Sequence, residues 1–290
     1  MIMTTKPFIR AAEFRDIDSI CELLHTRMNR KIEPKRWRNL MTYHWLADKP
    51  DLGRVVEDNG EILGFLGMIY SDREVNQHRE RVVNICAWYL DKSLRGLGLG
   101  KSIMANATSD PSMSYTIMTS SKNTVEILDD VGYEILDFER YIWRKNANQE
   151  SRINVITDIE QIYLESSSIE KKLLDDHTEL PVTPVLAKHE GRQCILFFSV
   201  KQKGEDVTYF DVLFTSDRVF LGEFGQRLAN VLLPERAAVL AVDCRFVSND
   251  VSDVVVEKLP VPRFFKSSRL ERKYFDHLYT ELQLLDLKLD

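Results

Sequence analysis

An apolar run followed by a glycine-rich turn, residues 84–107 (NICAWYLDKSLRGLGLGKSIMANA), constrains this sequence more than any other feature. The apolar run predicts a strand, and the residues after the turn predict a helix. Glycines at such a junction let backbone N–H groups approach an anion, and the helix that follows presents its positive N-terminal end. The segment is therefore a candidate phosphate-binding loop.

The spacing of the glycines excludes two common phosphate-binding motifs. A Walker A loop requires a glycine five residues before Gly100, and this chain has Arg95 there. A Rossmann loop requires its third glycine at position 101, which is a lysine. The pattern that remains is an arginine followed by glycine at every second position, Arg95-Gly96-Leu97-Gly98-Leu99-Gly100.

This pattern closely resembles the pyrophosphate loop of the GNAT superfamily of N-acetyltransferases. The alternative is that the glycines only form a tight strand-to-helix turn, and the flanking Arg95 and Lys101 weigh against it. The resemblance covers roughly residues 7–145, where the predicted elements follow the GNAT order. It implies an α/β (α+β) fold with a mixed central sheet.

The elements around the loop are predicted from apolar periodicity and turn signals. Asn59-Gly60, between two apolar runs, is a strong signal for a type I′ hairpin turn. Helices are predicted over 16–27, 33–48, 101–108 and 123–131, and strands over 8–11, 53–58, 61–71, 81–90, 114–120 and 133–145.

The second half of the chain repeats this order of elements without the glycines. After a helix over 158–172, the sequence predicts a hairpin over 182–201, a strand over 206–216, a helix over 218–233 and a strand over 237–246. The chain is thus expected to form tandem GNAT-like domains. An unrelated α+β domain is the alternative for this half.

An offset of 124 residues aligns the two halves and shows which residues of the second half replace the glycine loop. It places Val219, Phe220 and Phe224 at the positions of Arg95, Gly96 and Gly100. Bulky side chains where the backbone must touch a phosphate would block an anion site. We therefore expect a GNAT domain over 1–146, a linker within 146–151 (NANQES), and a degenerate copy without a coenzyme A loop over 151–290.

The resemblance also implies roles for individual residues. The pantetheine arm of coenzyme A would lie along 85–90, and the Leu90 N–H would polarise the thioester carbonyl as an oxyanion donor. The tyrosine that usually protonates the leaving thiolate in this family is replaced by Leu128, so the general acid is not assigned. The implied acyl-CoA contacts are Trp88, Leu90, Arg95, Gly96, Leu97, Gly98, Leu99, Gly100, Lys101, Ser121 and Asn123, of which Trp88 also suits strand packing.

A basic and aromatic segment over 25–45 is the candidate acceptor site. Arg27, Arg30, Arg36 and Trp37 are the residues expected to bind the acceptor. Such a local patch on an acidic chain suits an anionic acceptor, such as a nucleotide-linked amino sugar. The alternative is a solvated helix face with Trp37 in the core.

Composition narrows the class of protein further. A net charge of -6 argues against general nucleic-acid binding, which needs a basic face. The four cysteines are far apart and form no CxxC pair, which indicates reduced thiols and no metal site. No apolar run approaches the roughly 18 residues of a membrane span, and the N-terminus lacks the apolar core of a signal peptide. A cytoplasmic protein that does not bind membranes is expected, and a homodimer is compatible with the sequence.

The expected function is an acyl-CoA-dependent N-acetyltransferase that acts on the primary amine of a small acceptor. Acetyl-CoA would be the co-substrate, and no metal is expected. The alternative is a catalytically weak acyl-CoA-binding sensor or interaction module, since one copy lacks the loop and no general acid is evident. Turnover of acetyl-CoA with an amine distinguishes the two hypotheses.

Overall fold

The computed structural model describes residues 6–149, 152–204, 206–235, 237–248, 251 and 254–289. The chain forms two compact units, and neither is continuous in sequence. Unit 1 comprises Met1–Leu136, Arg263–Glu271 and Tyr279–Leu287, and unit 2 comprises Asp137–Pro262, Arg272–Leu278 and Lys288–Asp290. Glu150 and Ser151, the last residues of the expected linker, lie outside the described residues.

Unit 1 contains the predicted hairpin and glycine-loop region. Its turn at Asn59-Gly60 has φ angles of 49° and 84°, as a type I′ turn requires. The elements are β1 (Phe8–Ala11), α1 (Ile17–Leu23) with a π-helical turn (Leu24–Met28), α2 (Pro34–Thr42), β2 (Gly53–Asp58), β3 (Glu61–Val75), β4 (His78–Leu90), α3 (Leu99–Ala107), β5 (Ser114–Ile117) and α4 (Val125–Asp130).

Helix α2 ends at Thr42, whereas the sequence predicted a helix to residue 48, and tertiary hydrogen bonds explain the difference. The Tyr70 N–H donates to the Tyr43 hydroxyl (2.8 Å), and the Trp45 indole N–H donates to the Tyr70 carbonyl (2.9 Å). These bonds to β3 hold the chain after Thr42 away from helical geometry.

Unit 2 repeats the order of unit 1. Its elements are β6 (Glu134–Trp143, which begins in unit 1), β7 (Asn154–Ile156), α5 (Ile159–Glu165), α6 (Ser168–His177), β8 (Thr183–His189), β9 (Arg192–Lys203), β10 (Val207–Thr215), α7 (Arg218–Leu232), β11 (Ala238–Asp243) and β12 (Val255–Lys266, which ends in unit 1). The chain then forms α8 (Glu281–Leu284) in unit 1.

The pairing of the strands follows the same rule in both units. In unit 1, β2–β3 and β3–β4 are antiparallel and β4–β5 is parallel. In unit 2, β8–β9 and β9–β10 are antiparallel and β10–β11 is parallel. The strand order is β1-β2-β3-β4-β5-β12 in unit 1 and β6-β11-β10-β9-β8-β7 in unit 2. The predicted mixed α/β fold is confirmed, and the pairing of strands in the first half is repeated in the second, as tandem halves of one fold would require.

In unit 2 the sequence analysis differs from the structure at two elements, one helix and one strand. The prediction of a single helix over 158–172 is wrong, because Ser167 caps a new helix. Its hydroxyl accepts a hydrogen bond from the Glu170 N–H (3.3 Å), and the Glu170 carboxylate accepts one from the Ser167 N–H (2.8 Å). Strand β12 was not predicted, because Pro260 and Pro262 make its sequence atypical of a strand interior.

Each unit has its own apolar core. In unit 1 the core lies between the sheet and α3, with Tyr70, Ile85, Met104 and Leu128 buried. In unit 2 a Cβ added to Gly225 of α7 would lie 2.9 Å from the Trp143 ring, so this helix packs closely on β6. Within the described residues, no helix is both long and apolar enough to cross a membrane.

A buried ionic cluster joins residues 272–278 to the rest of unit 2. Arg245 pairs with Asp137 and with Asp243 (2.8 Å), and its Nε donates to the Phe275 carbonyl (3.0 Å). His277 Nε2 lies 2.5 Å from the same Asp243 carboxylate. Arg245 and both carboxylates are almost fully buried, so the positive charge of Arg245 offsets two carboxylates that are out of reach of water.

We predict that Arg245→Met destabilises the protein by roughly 3–5 kcal/mol, because it leaves buried carboxylates without their partner. Urea unfolding at neutral pH measures the effect. Lys145→Met is the control, because Lys145 pairs with a Glu235 side chain that is 90% exposed and such a pair contributes about 1 kcal/mol at most. Equal effects of the two substitutions would contradict the role given to Arg245.

Candidate active site

The glycine loop is exposed at the start of α3. Gly96 and Gly98 have φ angles of 79° and 75°, in the left-handed region that favours glycine. Gly98 is the N-cap residue of α3. A Cβ added at either glycine would meet no atom within 4 Å. The glycines are therefore required by backbone conformation and leave the space before the helix empty.

The backbone of this loop offers several hydrogen-bond donors to that space. The Ser102 N–H donates to the Gly98 carbonyl (3.1 Å), which closes the first helical turn. Helix geometry leaves the N–H groups of Leu99, Gly100 and Lys101 without an intrahelical acceptor. The Ser102 hydroxyl also bonds to the Gly98 carbonyl (3.1 Å) and serves the helix turn. The donor set and the helix dipole together suit a pyrophosphate.

The charged side chains of the loop are exposed and engaged with nearby groups. Arg95 Nε donates to the Leu90 carbonyl (3.1 Å), and Lys101 Nζ donates to Asp130 (2.9 Å). Exposed pairs of this kind are weak, so Lys101 can exchange its carboxylate for a phosphate oxygen at little cost. Leu97 is 63% exposed at the tip of the loop.

Strands β4 and β5 separate above the loop and create a fork. They pair only from Val82–Ser114 to Asn84–Thr116. Beyond this point β4 carries a bulge opposite Leu66 of β3, with Ala87 at a φ of 48°. We call the space between β4 and β5 beyond Asn84 and Thr116 the fork.

The end of β4 directs a backbone N–H into the fork. The Asp91 N–H donates to the Leu63 carbonyl on β3 (2.8 Å). Because consecutive residues of a strand point their N–H groups to opposite sides, the Leu90 N–H faces away from β3 and toward the fork. This orientation is the one an oxyanion donor for a thioester in the fork would need.

The other residues expected at the cofactor lie around the same region. The Trp88 ring packs near the start of α3, 3.8 Å from a Cβ added to Gly100. Ser121 caps a short helical turn after β5, and both Ser121 and Asn123 are exposed. Leu128, at the family's tyrosine position, is fully buried in the core, so α4 supplies no hydroxyl there.

The fork contains an acidic side chain that the sequence analysis missed. Glu281, the first residue of α8, is 1% exposed, and its N–H donates to the Asn84 side-chain carbonyl (3.2 Å). Its Oε1 accepts a hydrogen bond from the Thr119 hydroxyl (2.6 Å). Its Oε2 is buried and makes no hydrogen bond within the described chain.

Burial raises the pKa of Glu281 to about 7, and hydrogen bonds from Thr119, from the Glu281 backbone and from the Asn84 side chain oppose the shift only in part. Burial also raises the pKa of the neighbouring Cys86 thiol, and the Glu281 charge adds to that rise. Cys86 therefore stays a neutral thiol, and Glu281 is the group at the fork that changes charge near neutral pH.

The residues expected at the acceptor lie in different environments. Arg27 and Arg30 are exposed and line a cleft of about 800 Å³ between α1, its π-helical turn and the β2–β3 turn. Arg36 is half exposed and lies 3.6 Å from Asp286. Trp37 is 2% exposed, which favours the alternative of a core tryptophan. The structure thus brings together only Arg27 and Arg30.

The predicted alignment of Val219, Phe220 and Phe224 with the glycine loop is wrong, because these residues lie within α7, whose N-cap is Asp217. In unit 2 the chain itself occupies the helix start. At the start of α7, Asp217 accepts a hydrogen bond from the Phe220 N–H (2.8 Å), and Phe220 is fully buried. A carboxylate at this helix terminus repels a second anion. Where β10 bulges, the His277 N–H donates to the Leu213 carbonyl (2.9 Å), so residues of this chain already bond to the strand edge.

Sequence reasoning missed Glu281 because nothing local marks it as functional. Thr280-Glu281-Leu282-Gln283 is a capping-box pattern, and the structure forms that box. The pattern predicts a helix start. It does not predict that the start lies against Asn84 and Thr119, which are 197 and 162 residues away in sequence. Within the described residues, no group of three or more His, Cys, Asp or Glu side chains is placed to hold a metal.

We predict that Gly98→Ala weakens coenzyme A binding at least tenfold, because alanine is strained by roughly 1–2 kcal/mol at positive φ and the loop must rearrange. Isothermal titration measures the affinity and, for the unaltered chain, one site. Gly191→Ala is the matched control: Gly191 has a φ of 79° and nothing within 4 Å of an added Cβ, but it lies in the β8–β9 turn. Unchanged affinity of Gly98→Ala in a folded protein would exclude this loop as the cofactor site.

We predict that Glu281→Gln becomes more stable relative to the unaltered protein as the pH rises. The carboxyl loses its proton near pH 4.5 when exposed and near pH 7 when folded, so the folded state binds more protons between these values and loses stability as pH increases. The difference should grow by roughly 2–4 kcal/mol over this range and level off above it. Urea unfolding of both proteins from pH 4.5 to 8 tests this, and a pH-independent difference would contradict it.

Comparison with known proteins identifies a family whose model matches part of this chain. The Acetyltransferase (GNAT) family matches residues 17–110, which include the glycine loop and the β4 side of the fork. No curated protein is significantly similar to this chain.

Several solved structures share the fold over about nine-tenths of the chain. A GCN5-related N-acetyltransferase from Anabaena variabilis has a TM-score of 0.56 at 9% identity, covering 90% of this chain and 72% of its own. One from Kribbella flavida has a TM-score of 0.56 at 11% identity, with 91% and 72% covered. A probable N-acyltransferase from Enterococcus faecalis has a TM-score of 0.57 at 13% identity, with 93% and 74% covered. Residues 17–110 thus match the GNAT acetyltransferase family, and the chain is an acyltransferase that uses acyl-CoA as its co-substrate.

Proposed function

We propose that this enzyme transfers an acetyl group from acetyl-CoA to the primary amine of a small anionic acceptor, such as a nucleotide-linked amino sugar. The observation that carries the anionic character is the position of Arg27 and Arg30 on the wall of the cleft of about 800 Å³. Arg27 lies close enough to the end of β4 to help lower the pKa of Asp91, whose main cause is hydrogen bonding from Ser93. The cleft would therefore lie near the end of β4, whose Leu90 N–H is the proposed oxyanion donor.

The other charges of the cleft limit where an anion can bind. Arg10 is engaged by Asp16 (2.6 Å) and Glu57 (2.7 Å), so its charge is offset. Glu22 and Glu61 also line the cleft and repel an anion at that end. Attraction for a phosphate thus has to come from Arg27 and Arg30, and the amine of the acceptor would lie on the opposite side.

In this proposal, coenzyme A binds to residues 1–146 alone. There the N–H groups of residues 96–101 would hold the pyrophosphate, Arg95 and Lys101 would add charge, and Trp88, Ser121 and Asn123 would lie beside the bound cofactor. Residues 151–290 would bind none, which the Asp217 cap and the buried Phe220 support. A cytoplasmic location is part of the proposal, since the four cysteines are free thiols.

Release of free thiol from acetyl-CoA tests the proposed acceptor class. Glucosamine, glucosamine 6-phosphate and UDP-glucosamine form a series in which the amine is constant and the negative charge differs. We expect both anionic compounds to have lower KM values than glucosamine. Equal KM values would contradict an anionic acceptor, and saturable acetyl-CoA binding without turnover of any amine would favour the alternative of a binding module.

We predict that Arg27→Gln and Arg30→Gln raise the KM of glucosamine 6-phosphate roughly three- to thirtyfold, with kcat and coenzyme A affinity unchanged. A contact made equally in the ground and transition states affects KM alone. Arg38→Gln is the matched control, because Arg38 is an exposed arginine of α2 that pairs with Asp18. Added salt should weaken the same step. If all three arginine variants behave alike, the patch is a solvated helix face.

A further inference from the structure

The fork holds a buried carboxylate with one free oxygen. Glu281 is 1% exposed, yet its Oε2 has no hydrogen-bond partner within the described chain. An unpartnered carboxylate oxygen out of contact with water is costly. Proteins retain such a carboxylate mainly where it has a function. The Glu281 carboxylate lies beside Asn84, at the point where β4 and β5 stop pairing.

Thr119 forms a hydrogen bond to this carboxylate and is itself accessible from the fork. Thr119 follows β5, is itself exposed, and donates its hydroxyl hydrogen to Glu281 Oε1 at 2.6 Å. The hydroxyl oxygen keeps two lone pairs with which to accept another hydrogen bond. Thr119 is therefore placed to contact a ligand in the fork while it stays bonded to Glu281.

We propose that Thr119 and Glu281 form a proton relay that removes a proton from the ammonium group of the acceptor before acyl transfer. The ammonium donates a proton to Thr119 Oγ1, and the hydroxyl proton of Thr119 moves to Glu281 Oε1. The neutral amine then attacks the thioester carbon, so that an N–C bond forms and the C–S bond breaks. The attacking nitrogen, now positively charged, loses its second proton as the coenzyme A thiolate leaves with the electron pair of the C–S bond, and the thiolate takes up that proton to give the free thiol. Glu281 returns its own proton to solvent by the same route.

The chemistry of the site suits this role. An amine must be neutral to attack, and the best proton acceptor has a pKa near the working pH. Burial brings the Glu281 pKa to about 7. The titratable group that faces Glu281 from β4 is the Cys86 thiol, whose pKa is raised by burial and then by the Glu281 charge. Thr119 and Asn84 face it from β5 and β4 and do not titrate near neutral pH.

A purely structural role for Glu281 is the alternative. The segment 279–287 is held in unit 1 by other bonds as well, among them the Asn39 side-chain N–H to the Leu284 carbonyl (3.2 Å). If Glu281 served only to anchor this segment, weakening another anchor would have the same effect on the rate. Asn39→Ala is therefore a matched control that loosens the segment and leaves the relay intact.

Kinetics with acetyl-CoA and glucosamine 6-phosphate test the relay. We expect kcat/KM to rise with pH through an ionisation near 7 in the unaltered enzyme, and Glu281→Gln to lower it about a hundredfold to ten-thousandfold and remove this ionisation. Thr119→Val should lower the rate by at least roughly tenfold and Thr119→Ser should restore most of it, since serine keeps the hydroxyl. Asn39→Ala should leave the pH profile unchanged. An unchanged profile and rate in Glu281→Gln, or the same loss in Asn39→Ala, would overturn the relay.

Hydroxylamine as acceptor separates proton removal from the later steps. Its nitrogen is already neutral at neutral pH, so it needs no proton acceptor. We expect Glu281→Gln to transfer acetyl groups to hydroxylamine nearly as fast as the unaltered enzyme does. An equal loss with both acceptors would show that Glu281 is not needed for deprotonation and would overturn the proposal.

A measurement without any acceptor distinguishes failure of the relay from failure of the proposed function. The relay rests on acyl transfer to an amine and not on the anionic character of the acceptor. Infrared difference spectra of the unaltered protein against Glu281→Gln report the protonated carboxyl of Glu281. We expect this band to titrate near pH 7, with and without acetyl-CoA. A carboxyl already ionised at pH 5.5 overturns the relay whatever acceptor the enzyme uses, and a titration near 7 combined with no turnover of the amino sugars overturns only the proposed acceptor.

Discussion

The separation of β4 from β5 beyond Asn84 and Thr116 is the constraint on which the rest of the site depends. Two parallel strands that stay paired would satisfy each other's N–H and C=O groups and leave no room for a ligand. Because these strands part, the edge of β4 keeps backbone donors, and the bulge at Ala87 sets which of them face outward. The Leu90 N–H then faces the fork, and the glycine loop follows directly at the end of the same strand.

The two units show how one topology can be open to a ligand or closed by its own chain. Both place a helix N-terminus after the third of three antiparallel strands, followed by a parallel strand. In unit 1 the capping position is Gly98, which has no side chain, so the N–H groups of α3 remain available. In unit 2 it is Asp217, whose carboxylate already bonds to the Phe220 N–H. One side chain at the cap thus decides whether the helix dipole can act on a bound anion.

The environment of Glu281 shows how burial changes the chemistry of a carboxylate. A glutamate in water is ionised well below neutral pH and is a poor proton acceptor from an ammonium group. Burial disfavours the charge and raises the pKa, at the expense of stability above neutral pH. Natural proteins accept such a cost at functional sites, and the hydrogen bonds to the carboxylate, first among them the one from the Thr119 hydroxyl, oppose the effect of burial without cancelling it.

Local sequence determined those features of the protein that depend on residues only a few positions apart. The glycine spacing of 95–100, the Asn59-Gly60 turn and the apolar periodicity predicted the loop, the hairpin and the order of elements in both halves. The end of α2, the burial of Trp37 and the position of Glu281 were decided only by tertiary structure. Each depends on contacts between segments far apart in sequence: Tyr43 with Tyr70 across 27 residues, and Glu281 with Asn84 across 197. Such contacts form because packing of the whole core outweighs the weak local preferences of the residues involved, and no short sequence pattern records which distant segment will supply the partner.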